Sequence, residues 1–265
     1  MNNHITRKGV LHTPIVLTAI IIAITLTFTL AGCGPNAQAI FRPPDPSEAH
    51  KNEPIFEHKK GSFTDQRDNK TYQTVEIGTQ TWMAENLSYN TDGSKCYSNN
   101  ESDCEKYGRQ YDWLTAVQLP SKCQGLKFKP DFNPDNKTHA QRDFDPDCAI
   151  RTPHKGICPD GWHVSSDNDW ATLISFAGGT KAGTRLKTTS GWPITNGSDS
   201  YGFAALPGGS NNSVGSWWTT MHAYAPGSGD VSSQMQMRGG KYDYAIVDRK
   251  NYSISSFSSV RCVQD

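Results

Sequence analysis

Residues 158–170 read CPDGWHVSSDNDW. This stretch gathers a cysteine, two tryptophans, a histidine and three acids, enough for a reactive centre. Each also has a scaffolding use. Ser166 followed by Asp169 is the S-x-x-D pattern that opens a helix, with a carboxylate where the helix dipole favours one. Trp170, Leu173, Ile174 and Ala177 then fall at i, i+3, i+4 and i+7, a single apolar stripe. Gly178 and Gly179 supply the stop. Cys158 pins the stretch to another strand, Trp162 fills the space beside it, and His163 has no partner at ligand spacing. The scaffold reading is favoured, because a buried aromatic beside a disulfide needs no catalytic explanation.

The chain of 265 residues opens upstream with a segment outside the fold. Arg7 and Lys8 precede an apolar run over residues 15–31, and this has the layout of a secretory signal. Seventeen residues is short for a membrane span. The run ends in Leu30-Ala31-Gly32-Cys33, which resembles the bacterial lipobox. That motif implies cleavage after residue 32, lipidation of Cys33 with chains such as palmitate, and attachment to a membrane. Gly34 follows, with no acid to hold the protein at the inner membrane, so an outer-membrane place in the cell envelope is expected.

Removing residues 1–32 takes Arg7 and Lys8 and no acid, leaving 24 basic against 26 acidic side chains, a net charge of −2. Such a balance offers nucleic acid no electrostatic footprint. Residues 33–66 carry five prolines over 34–62 and little apolar content, so they read as a tether. The folded domain is expected over 67–265, with an insertion at 124–147.

Within the domain, TYQTVEIGTQTWMAENL (71–87) alternates Tyr72, Thr74, Glu76 with Gln73, Val75, Ile77 and turns at Gly78-Thr79, predicting a hairpin. EKYGRQYDWLTAV (105–117) predicts a short helix around Trp113, Leu114 and Val117. Beyond Gly183, TRLKTT, GFAAL, SWWTTM, SSQMQM, YDYAIV and SSVRCV predict short strands. Hairpin, two main helices, then strands is an α+β order, not the alternation of a parallel sheet.

Seven cysteines occur. With Cys33 assigned to lipid, six remain in an exported chain, which reads as a disulfide framework. Cys96 and Cys104 flank the loop-like YSNNESD, and Cys123 and Cys148 bracket the polar insertion. That leaves Cys158 for Cys262.

The blocks YQTVEIGTQTWMAENLSY, CYSNNESDCEKYGRQYDWLTA, GICPDGWHVSSDNDWATLI, YGFAALPGG, WWTT and SSVRCV occur in this order. Together they resemble the Fibrobacter succinogenes major paralogous domain, a family of exported bacterial proteins, over residues 67–265. The insertion QGLKFKPDFNPDNKTHAQRDFDP departs from that pattern. More distantly, SSVRCV and the helix-then-strands order look like C-type-lectin-like and formylglycine-generating-enzyme-type domains. That resemblance implies a lectin-like fold. It does not carry activity across, since the lectin Glu-Pro-Asn, Gln-Pro-Asp and Trp-Asn-Asp motifs are missing and Cys262 stands alone near the C-terminus.

No H-E-x-x-H, G-x-S-x-G, Walker-type loop or C-x-x-C is present. Nothing selects a catalytic pair, so the chain is read as more binding protein than enzyme. Asp131, Asn133, Asp135 and Asp143, Asp145, Asp147 repeat oxygen ligands at every second residue, the opening rhythm of a calcium loop. However, Asn136 and Arg142 stand where an EF-hand needs Gly and Glu. Trp217 and Trp218 are adjacent in a predicted strand, so their side chains point to opposite faces. If one side of the sheet is open, one of them faces a groove or solvent and can stack on a sugar or a partner; a sheet covered on both faces buries both, and burial is the favoured of the two readings. The expected function is a membrane-anchored, non-catalytic module for polysaccharide or an envelope protein. The alternatives are an enzyme acting on carbohydrate or protein, and a structural envelope protein.

Overall fold

The expected hairpin forms from β2 (Thr71–Ile77) and β3 (Gln80–Met83), with Val75 opposite Trp82. Gly78 takes a φ of 64° at the turn, a conformation glycine reaches without strain. The coordinates are a computed structural model that describes residues 58–124, 146–208, 213–225, 229–240 and 245–265. Cys33, most of the tether and residues 125–145 lie outside these.

An additional strand, β1 (Lys60–Thr64), pairs antiparallel with β2, so the ordered domain begins inside the segment read as tether. Phe63 is its only large apolar residue, which leaves no alternation to read. The last strand, β11 (Cys262–Gln264), inserts between β3 and β6 (Trp162–Val164), giving the sheet order β1-β2-β3-β11-β6. The second sheet runs β4 (Ser94–Lys95), β5 (Gln110–Tyr111), β10 (Ser258–Ser259), β7 (Val214–Ala225), β8 (Gly229–Arg238), β9 (Val247–Ser253).

The fold is mixed α+β, as expected, but its parts are proportioned differently. Four α-helices occur among the described residues: α1 (Glu101–Tyr107), α2 (Trp113–Val117), α3 (Asp167–Phe176) and α4 (Ala182–Leu186). Only α3 is a main helix. β7 and β8, at 12 and 10 residues, are not short. α1 replaces the loop expected between Cys96 and Cys104. Its N-cap is Asn100, and Cys104 is its one buried residue, so no apolar stripe announced it. α4 replaces the strand expected at TRLKTT, where Gly183 donates its N–H to Ala245 O at 2.8 Å and tertiary contact overrides β propensity. GFAAL makes only a bridge between Ala205 and Lys187.

The helix that opened the reading forms as its sequence dictates. Ser166 and Asp169 complete a reciprocal capping box, and Gly178, at φ 98°, follows the last turn in the left-handed region.

Both sheets bury residues on both faces. One core cluster holds Val75, Ile77, Trp82, Trp170, Phe203, Trp217, Met235 and Met237. The other holds Tyr72, Met83, Tyr111, Trp113, Trp162, Trp218 and Cys262. Disulfides join Cys96 to Cys104, Cys123 to Cys148 and Cys158 to Cys262, the pairing that spacing indicated. The third fastens the opening stretch to β11.

At the junction Arg261 is buried. It donates to Asn86 Oδ1 from Nε at 3.0 Å and from Nη2 at 2.7 Å, and from Nη1 to Met83 O and Phe203 O. Trp217 Nε1 donates to the same Asn86 oxygen at 2.7 Å. Burial pushes the guanidinium pKa down to about 9, yet each of its three nitrogens donates to an oxygen, as a buried cation requires.

Candidate functional site

The site grows out of one strand. In β8 the sequence SSQMQMR (232–238) alternates glutamine with methionine, and a strand sends alternate side chains to opposite faces. Met235 and Met237 enter the core beside Trp217. Gln234, Gln236 and Arg238 take the other face, opposite Trp218, Ser216 and Val214 of β7. There they line a groove of about 760 Å3. Lys95 of β4, Gln110 of β5, Tyr252 of β9 and Phe257, just before β10, complete its walls with Tyr97.

The polar atoms of this groove are partly engaged with one another. Arg238 Nη2 donates to Gln236 Oε1 and Gln236 Nε2 to Gln234 Oε1, both at 3.4 Å. Gln110 Nε2 donates to Gly208 O at 2.5 Å, and the hydroxyls of Ser216 and Ser258 lie 2.7 Å apart. Lys95 Nζ sits 3.8 Å from the centre of the Phe257 ring, a cation–π contact. Tyr252, 39% exposed, stands at the rim, whereas Gln234 is only 3% exposed. Amides on the floor and rings on the rim can hydrogen-bond and stack at once, the combination a flat hydroxylated ligand needs.

The residues singled out in the sequence fall elsewhere. Trp217 and Trp218 do lie on opposite faces, and both are fully buried, the favoured of the two alternatives; the ligand-stacking role considered for Trp217 or Trp218 is thereby corrected. Trp217 enters the cluster with Trp170 and Phe203. Trp218 is covered by Tyr111 and Trp113 and donates Nε1–H to Tyr111 O at 2.8 Å. The sheet is covered on both faces at that level, and the groove lies at the level of Ser216 and Val214.

Of the calcium residues, Asp131, Asn133, Asp135, Asp143 and Asp145 lie outside the described residues. Asp147 occupies a short turn and meets Lys122 Nζ at 2.6 Å. Among the described residues the only group of three potential metal-binding side chains is Cys96, Glu101 and Cys104. Its two sulfurs are already joined and offer no thiolate.

His163 does find partners that its neighbours in sequence conceal. Its Nδ1 lies 2.8 Å from Asp265 Oδ1 and its Nε2 3.4 Å from Asp169 Oδ2. Burial works against the charged ring, but the bonds to Asp169 and Asp265 outweigh it and raise its pKa. Burial raises the Asp169 carboxyl, and the bonds from His163 and Ser166 more than reverse that, leaving it lowered. Ser166 Oγ donates to Asp169 at 2.6 Å. The hydroxyl is thus engaged in the capping box that starts α3. This cluster clasps the end of the chain to the start of α3.

A second depression shares the Phe257 wall and contains Asp92 and Asp112. Asp112 is committed there as the N-cap of α2, accepting from Thr115 N at 2.9 Å. Among the described residues no helix is long and apolar enough to cross a membrane; the apolar run 15–31 lies outside them.

The Fibrobacter succinogenes major domain family model matches residues 75–264, and the chain belongs to that family. No curated protein and no solved structure matches it.

Proposed function

Starting from membership in this family, we propose that the protein is a non-catalytic binding module for polysaccharide, held at the cell envelope through lipid on Cys33. The observation that carries this is the groove over β8. It combines a row of side-chain amides with Tyr252, Tyr97 and Phe257. Among its described lining residues there is no Asp, Glu or His, and Cys96 is in a disulfide. A glycosidase needs two carboxyl groups flanking the scissile bond, so the groove favours retention of a glycan over cleavage. The return of β11 onto the first hairpin supports a lectin-like reading of the scaffold. Lipid attachment at Cys33 and an outer-membrane place rest on the lipobox and on Gly34.

The test is a pull-down of the protein on insoluble polysaccharides with a glycan array, products being followed chromatographically. Retention without product is the expected result. Product formation would move the assignment to an enzyme, and no retention on any glycan would leave an envelope-protein partner or a structural role.

A further inference from the structure

We infer that the groove selects an anionic sugar unit, one bearing a carboxylate or a sulfate ester, over a neutral one. This rests on the glycan reading above and specifies its ligand. The hydrogen bonds along β8 run in one direction. Arginine carries only N–H donors and no acceptor, so its contact with Gln236 at 3.4 Å presents the Gln236 oxygen to Arg238. That orientation places the Gln236 amide nitrogen toward the oxygen of Gln234, also at 3.4 Å. The row is therefore polarised from one end to the other. Its side-chain oxygens are used by their neighbours, and the Gln234 amide nitrogen is left as a donor toward the groove. Chains of this kind strengthen their terminal donor.

The walls agree with that polarity. Lys95 and Arg238 are the charged side chains among the described lining residues, and neither Asp nor Glu joins them. Asp248 stands opposite Gln236 in the β8–β9 register, and it is bridged to Lys250 at 2.8 Å. A ligand with hydroxyls alone would leave Lys95 without an anionic partner. A carboxylate or sulfate oxygen takes charge-assisted bonds from a cation and an amide together, and in a shielded cleft these count for more than in open water.

Calorimetric titration of the full-length protein in detergent tests this with three probes: oligogalacturonate, its fully methyl-esterified form and a sulfated galactan oligomer. The acid should bind about ten- to hundredfold more tightly than its ester, the range for hydrogen bonds to a charged group. The sulfated probe shows whether sulfate is accepted as well. Lys95→Gln and Arg238→Gln should each reduce the preference for acid over ester about tenfold, the acid losing more affinity than the ester. Lys59→Gln, at a surface lysine paired with Glu76, should change nothing. Equal binding of acid and ester would overturn the selection and leave the glycan reading standing. So would an equal loss in the Lys59 variant. Binding of none of the three probes overturns the selection, and the polysaccharide panel then decides the wider reading.

Discussion

On β8, Met235 and Gln234 are neighbours with nearly the same burial, 5% and 3% exposed, yet they belong to regions of different kinds. Met235 lies against Trp217 in a cluster where removal of apolar surface from water supplies the stability. Gln234 lies among amides whose mutual bonds are long, at 3.4 Å, on the floor of a groove. A buried amide costs free energy unless it is well bonded, so the glutamine row contributes little to holding the fold. The comparison teaches that burial alone does not mark a core. How well the polar atoms are satisfied separates the packed face from the recognition face.

The sharpest way to break the comparison is to remove the frame under both faces. Replacing Cys158 and Cys262 by alanine opens a covalent loop spanning 104 residues. In the chain-entropy account this costs about 4–5 kcal/mol, read as a fall in the urea midpoint with a steeper slope, because the unlinked unfolded chain exposes more surface. Next, Trp217→Ala should lose about 3–5 kcal/mol, because it empties space beside Trp170 and Phe203 and takes one of the donors from Asn86. If Trp217→Ala is nearly neutral, the packed face has been misidentified. On the opposite face Gln236→Met should change stability by less than about 1 kcal/mol in either direction, and glycan retention should fall. A large loss of stability there would make the amide row structural.

The smallest effect is expected at the clasp of His163, away from both faces. Its folded pKa is raised, so its contribution is fully present below the unfolded histidine pKa and disappears as pH rises through the folded value. Asp169 is lowered, so its contribution is present above the unfolded carboxyl pKa and disappears as pH falls through its folded value. The clasp is firmest in the acidic window between the two. His163→Gln should flatten the stability profile on the alkaline side of that window and leave glycan retention unaltered, as thermal melts across pH would show.

Much of the packed region was legible because its signals are local. The S-x-x-D start at Ser166, the turn at Gly78 and the three cysteine pairs each declare themselves within a short span or by elimination. Trp217 and Trp218 were rightly placed on opposite faces, but a second cluster covering Trp218 could not be read from the strand itself. α1 was hidden because it buries a single side chain. The groove was half legible. Gln-Met-Gln-Met announces a strand with one apolar and one polar face, and a polar row ending in arginine could have been singled out. Its companions Lys95, Gln110, Tyr252 and Phe257 come from separate strands and loops, and no spacing along the chain brings them together. The same holds for Asn86 and Arg261, 175 residues apart.

The most direct measurement is an NMR titration of nitrogen-labelled protein with oligogalacturonate, following side-chain amide and indole N–H signals together. The side-chain amide signals of Gln234 and Gln236 should shift on binding while the indole signal of Trp217, across from Met235 on the packed face, stays in place. A shift at that indole with the Gln234 and Gln236 amides silent would contradict the division of β8 into a packed face and a recognition face.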